Sequence, residues 1–217
     1  MDKNFNLSLL IIVNEPIELS DLFNRSNGIN GVSLKLMAPE TRLVGGSGIT
    51  FAIGGGNPNF AFRGAVLGKD LIVFNMVYQN ITRGIFQTQV PGTKDILAGN
   101  ETFNALRDLV KQLGYSDIFA YEIGINLTIE HNEYPLYGKI KGLRTMKSPR
   151  LKAIKLLDGD TQGKDLREEY ISEISIERIT HQSGKSIVST VYRTKEFEEN
   201  ALHDILSDID EVVKLIR

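Results

Sequence analysis

Four stretches of this sequence have residue types and spacings that chemistry would use. The first is the acidic run Asp158 to Glu169, "DGDTQGKDLREE". A calcium loop places oxygen ligands at alternating positions, a glycine at the sixth and a bidentate glutamate at the twelfth. Asp158, Asp160, Gly163 and Glu169 match that pattern, whereas Gln162 departs from it and the charged Asp165 stands where an aliphatic residue is usual. Such a loop also needs a helix on each side, and the following "EEYISEISIERIT" alternates like a strand. Asp158, Asp160 and Glu169 are therefore a weak metal site inside a polar connection. The second stretch is "VGGSGITFAIGGGNP", with six glycines between Gly45 and Gly56. A phosphate cradle needs a lysine or a following helix N-terminus. Neither is present: no Lys or Arg lies between Arg42 and Arg63, and "ITFAI" is strand-forming. The glycines read as turns around a short strand, Ile49 to Ile53, with Gly46, Gly48, Gly54 and Gly55 as the rim of any ligand pocket nearby.

The third stretch is basic. Lys139, Lys141, Arg144, Lys147, Arg150, Lys152 and Lys155 place seven cations in seventeen residues, with no acid from Tyr134 to Leu157. A segregated positive segment attracts phosphate backbones locally, and Tyr134 and Tyr137 are placed to stack on bases. The solvated-face alternative pairs these cations with the acids that follow. The fourth set is the histidines. His131, His181 and His203 are far apart in sequence, and none has the spacing of a two-histidine metal motif. No nucleophile elbow is present, and no cofactor motif. No catalytic residue is assigned.

The elements that would position these residues are legible from periodicity. Phe5 to Val13 alternates as a strand. "NEPIELSDLFNRSNG" suits a helix with Asn14 as cap and Pro16 in the first turn. Phe60 to Leu67 and Leu71 to Gln79 form a hairpin turning at Gly68, and "RGIFQTQV" is a further strand ended by Pro91. A helix runs from about Asn100, as its cap, to Gly114. "IFAYEIGINLTIEH" places Phe119, Tyr121, Ile123, Ile125, Leu127 and Ile129 on a buried face, and Ala120, Glu122, Gly124, Asn126, Thr128 and Glu130 on a solvated one that is a potential platform. A second hairpin turns at Ser183-Gly184. The segment 149–157 fits helix or strand, and a closing helix spans 195–216 with Thr194 as cap.

Together these elements give an α+β domain: a largely antiparallel twisted sheet with helices packed on one face. Both halves, 1–115 and 116–217, open on a strand carrying "NL[ST][IL]" (Asn6 to Leu9, Asn126 to Ile129) and close on an amphipathic helix. In element order this resembles a duplicated β-α-β4-α unit of the TATA-binding-protein-like kind.

Composition bounds the function. The chain has 217 residues, a net charge of −2 and no cysteine, which excludes disulfides, thiolate metal sites and thiol nucleophiles. No apolar run reaches the length of a membrane span. The expectation is a cytoplasmic, non-enzymatic binding module contacting nucleic acid through 139–155, or another protein. The competing reading is an enzyme or small-ligand binder with a pocket between sheet and helices. The polar Gln87 and Gln89 mark a candidate edge strand, through which a homodimer would form by sheet extension.

Overall fold

The computed structural model describes residues 4–37, 61–130, 153–158, 166–179 and 184–216. Within them the strands are β1 (Phe5–Val13), β2 (Lys35–Met37), β3 (Ala61–Val66), β4 (Lys69–Tyr78), β5 (Ile81–Thr93), β6 (Ile118–Glu130), β7 (Ala153–Leu157), β8 (Ile171–Arg178) and β9 (Lys185–Thr194). Three helices accompany them: α1 (Leu19–Ser26), α2 (Ile96–Gln112) and α3 (Ala201–Ile216). All the strands belong to one sheet, in the order β2-β3-β4-β5-β1-β6-β9-β8-β7, and every pairing is antiparallel. β1 and β6 lie side by side at the centre, with the remaining strands of each half fanning outward. The expected α+β sheet with its helices on one face is the fold observed.

The helical face carries the main core. Leu7, Leu9, Ile11 and Val13 of β1 meet Phe103, Leu106 and Val110 of α2, while Leu202, Ile205 and Ile209 of α3 cover the second half. Leu22 of α1 joins the same core. Burial of this apolar surface is the dominant stabilising contribution. Gly99 allows close packing of α2, since a Cβ there would fall 2.7 Å from Leu202 Cδ2 and 2.8 Å from Leu7 Cδ1.

Several sequence expectations need correction, each for a local reason. The solvated face expected for 118–130 holds only at its end, where Thr128 and Glu130 are exposed, since Ala120, Glu122 and Gly124 are buried. The opposite face of the sheet holds a second apolar cluster of Leu10, Ile12, Phe74, Ile85, Phe119 and Ala120. Phe119 changes sides because Ile12 pairs with Ala120 and Val13 with Ile118, which leaves Phe119 as an extra residue in a bulge. Gln87 and Gln89 are not on an edge, since β5 lies between β4 and β1. The Gln87 amide is buried and donates to Ser8 Oγ at 2.8 Å. Pro91 does not end β5. The partner of Phe5 is Thr93 and that of Leu7 is Val90, so Pro91 falls in an irregular step where its missing N–H costs no ladder bond. There the Gly92 amide, at φ 60°, donates to Asn6 Oδ1.

At the helix starts, Asp95 rather than Asn100 caps α2, its carboxylate accepting from the Leu97 amide at 2.8 Å. α1 begins at Leu19 with Glu18 at the cap position, and Asn14 instead donates to Asp117. α3 begins at Ala201, not near 195, because β9 runs through Thr194 and carries the proposed cap into the sheet. Residues 153–157 are strand, resolving the helix-or-strand ambiguity there.

Candidate functional site

Beyond the main core, α3 and the outer strands of the second half do not close completely. A cleft of about 120 Å³ lies between them. Its sheet wall is built from Ser172 and Ile174 of β8 and Thr190 and Tyr192 of β9. These four share a face because Ser172 pairs with Tyr192 and Ile174 with Thr190 in the ladder. The helix wall is Ala201, Asp204, Ile205 and Asp208. Their i, i+3, i+4, i+7 spacing is one stripe of α3. Glu198, in the connection ahead of the helix, closes one side.

Alanine and isoleucine make the floor, and polar groups line the mouth. The Tyr192 hydroxyl donates to Glu198 Oε2 at 3.1 Å. Burial, then the Glu198 charge and this hydrogen bond, push the Tyr192 phenol up to about 12. Tyr192 is thus a neutral donor across the physiological range. Its ring meets that of Tyr170 edge-on, with centroids 6.2 Å apart. Tyr170 is exposed, and its hydroxyl donates to Asp158 Oδ2 at 2.8 Å, a bond that raises its own pKa. The Thr190 hydroxyl is already committed to the Glu173 carbonyl. What remains open to a guest is carboxylate oxygen, tyrosine and apolar floor.

The sequence candidates fare differently. Lys155 lies on β7 and is held by Glu173 at 2.9 Å. Lys139, Lys141, Arg144, Lys147, Arg150 and Lys152 fall outside the described residues, as do Gly46, Gly48, Gly54, Gly55 and Asp160. Asp158 follows β7 directly and Glu169 precedes β8, so the hairpin brings both to one end. There Glu169 pairs with Lys195 at 3.1 Å, and Asp158 accepts from Tyr170. Among the described residues no group of three acids or histidines is close enough to hold a metal ion. His203 sits beside Asp204, exposed, with 3.4 Å between Nδ1 and Oδ1.

Periodicity alone misses the cleft. It assigns the apolar stripe of α3 to the core and Asp204 to the surface. The available signal was the hydroxyl content of two consecutive strands: Ser172, Thr190 and Tyr192 occupy inward positions where a closed core would place aliphatics.

A second buried polar feature lies on the opposite face of the sheet. Arg193 donates through Nε and Nη2 to Glu122 Oε2 at 2.9 and 2.7 Å, and through Nη1 to the Glu168 carbonyl at 3.1 Å. Both side chains are nearly sealed, at 4% and 2% exposure. The two residues are direct partners in the β6–β9 ladder, so the ion pair spans the two strands and its charges are matched within the sheet.

No protein-family model matches the chain, and no curated protein does. Among the described residues no helix is long and apolar enough to cross a membrane.

Proposed function

We propose that this protein is a non-enzymatic binding module that takes a small ligand, or one side chain of a partner, into the cleft between α3 and the β8–β9 pair. The observation that carries the reading is the cleft itself, where polar side chains line a cavity that also has apolar walls. That combination marks ligand sites generally. The strand order, with β1 and β6 adjacent at the centre, supports reading the chain as two similar halves, 1–115 and 116–217. The cleft then belongs to the second half.

The reading is tested with Ala201→Leu, which fills the cleft from the helix side. A thermal-shift and NMR screen of small polar compounds against the wild-type chain should give hits whose amide shifts centre on Ser172, Thr190 and Ala201. The substitution should abolish those hits. Hits that survive it, or that map elsewhere, would refute the cleft as the site. Contact with nucleic acid through 139–155 rests on the charge of that segment and the nearby Tyr134 and Tyr137 in the sequence. It requires salt-dependent binding to an oligonucleotide at low ionic strength.

A further inference from the structure

We infer that Arg83 is an anion site on the sheet face opposite the helices, taking a singly charged organic carboxylate whose apolar body lies along Met76, Tyr78 and Ile81. The site is separate from the cleft and does not depend on that reading. Its starting point is a charge without a partner. Among the described residues three sealed side-chain atoms have no hydrogen bond, Asn104 Oδ1, Tyr115 Oη and Arg83 Nε, and only the last belongs to a charged group. Buried charge is normally paired, because desolvation costs more than an unpaired ion recovers. Other arginines follow that rule: Arg25 holds Asp21, Arg63 holds Asp70, and Arg193 holds Glu122. Arg107 also stacks on a ring, 4.4 Å above Phe197, but none of its nitrogens is sealed and unpartnered.

The two carboxylates that favour the Arg83 charge are engaged elsewhere. Asp117 accepts from Asn14 at 2.6 Å, and Glu169 pairs with Lys195 at 3.1 Å. Burial outweighs both and pulls the guanidinium below its ordinary pKa, although it stays protonated at neutral pH. Nη1 and Nη2 also have no hydrogen bond, yet they are not sealed, so they are the donors a guest reaches.

The fold fixes their direction. The bulge beside Ile12 brings Phe119 to this face, and Arg83 Cζ lies 4.0 Å from the centre of its ring. Stacking holds the guanidinium plane and presents the Nη pair edge-on, the fork that meets two carboxylate oxygens at once. Met76 is the ladder partner of Arg83 and packs on the apolar cluster there. Tyr78 and Ile81, a ladder pair nearer the turn, project to the same side. One cation near two acids balances one negative charge, so a carboxylate fits where the second charge of a phosphate has no partner. The cleft, lined by Glu198, Asp204 and Asp208 with no Lys or Arg, repels the same ligand.

The test is an NMR titration of the full chain at constant ionic strength set with sodium chloride, read on backbone amides and arginine Nε–H signals. The probes are sodium butyrate, its neutral counterpart butyramide, and inorganic phosphate. Butyrate should give saturable shifts at the Arg83 Nε–H and at the amides of Met76, Arg83 and Phe119. Butyramide should bind at least about tenfold more weakly, because only the carboxylate gains charge-assisted bonds. Arg83→Gln should abolish the butyrate shifts at Met76 and Phe119. Arg83→Lys, which keeps the charge without the fork, should retain weakened binding, and it carries the test if the glutamine variant folds poorly. Equal binding of butyrate and butyramide, shifts that survive Arg83→Gln, or no shift from butyrate would each overturn the inference. Phosphate binding more tightly than butyrate would overturn the carboxylate class. N-acetyl-leucine separates the sources: tighter binding than butyrate assigns a partner's C-terminal carboxylate, and weaker binding assigns a small free acid.

Discussion

Arg193 and Tyr115 are both buried polar residues, yet their hydrogen bonding makes opposite predictions. Arg193 is fully engaged by Glu122 and the Glu168 carbonyl. Replacing it with methionine strands a carboxylate that is only 2% exposed, which should cost about 3–5 kcal/mol. Replacing Glu122 with leucine in the same chain removes the stranded charge and should recover much of that loss. Urea unfolding of the single and double variants checks both values. Tyr115, by contrast, is 3% exposed, and its hydroxyl has no hydrogen-bond partner. Burial, offset in part by the Arg25 guanidinium 5.0 Å above its ring, raises its phenol to about 12. Its folded pKa thus lies above the unfolded value near 10, and the folded chain keeps a proton that the unfolded chain loses. The resulting stability is present in full below about pH 10 and lost as pH rises toward 12. It amounts to roughly 3 kcal/mol at most for this residue. Tyr115→Phe should therefore match or exceed wild-type stability at neutral pH and flatten the decline between pH 10 and 12, as followed by urea midpoints across that range. Neither residue is conspicuous in the sequence. Glu122 reads as the solvated side of an alternating strand, and its partner is 71 positions away, so only the assembled sheet reveals the pair.

Elements with a strong local signal are legible in the sequence, and features that depend on neighbouring strands are not. The β3–β4 hairpin follows from two apolar runs around Gly68, and α2 from its apolar period. The start of α3 fails as a sequence reading because the helical period continues back through Phe197. That ring packs on Phe103 and Tyr121 from the connection ahead of the helix. The fate of Pro91 and Phe119 depends on bulges, which are decided by pairing with β1 and have no signature in either strand alone. The hairpin offers a prediction at this scale. Val66 pairs with Lys69, so Leu67 and Gly68 form a two-residue turn, with φ values of 47° and 73°. Both left-handed positions suit a turn of the I′ kind, in which asparagine is favoured first and glycine second. Leucine carries a left-handed penalty on the order of 1 kcal/mol and is 61% exposed there. Leu67→Asn should stabilise the chain by about 1 kcal/mol, measurable as a rise in urea midpoint with unchanged slope. A fall in midpoint would show that the leucine side chain has a packing role at the tip.

For the whole molecule, the sheet order sets a gradient of stability across the domain. β1 is flanked on both edges and buried on both faces, its residues from Leu7 to Val13 all contributing to one apolar cluster or the other or lying sealed between them. Its neighbour β6 shares that position, and it exchanges hydrogen bonds with β9 along ten paired positions from Tyr121 to Glu130. Among the described residues, the terminal strands of the sheet are β2, three residues long, and β7, five residues long and largely exposed. Because opening free energy follows buried apolar contact and ladder completeness, amides in β1 and β6 should exchange only through global unfolding. Those of β7 should exchange through local opening, orders of magnitude faster, with β8 between. Hydrogen exchange under native conditions, read as free energies residue by residue, checks the ranking. The sequence could not supply it, since it marks 5–13 as a strand and leaves 149–157 as helix or strand, and neither reading says where a strand stands in the order β2-β3-β4-β5-β1-β6-β9-β8-β7. The same measurement tests dimerisation by sheet extension, which the interior placement of Gln87 and Gln89 moves away from β5. Protection in β7 that matches β1 and falls on dilution would mean that a second copy pairs along its outer edge. Protection that stays low at every concentration would leave β7 an open edge, guarded by Lys155 and its ion pair with Glu173.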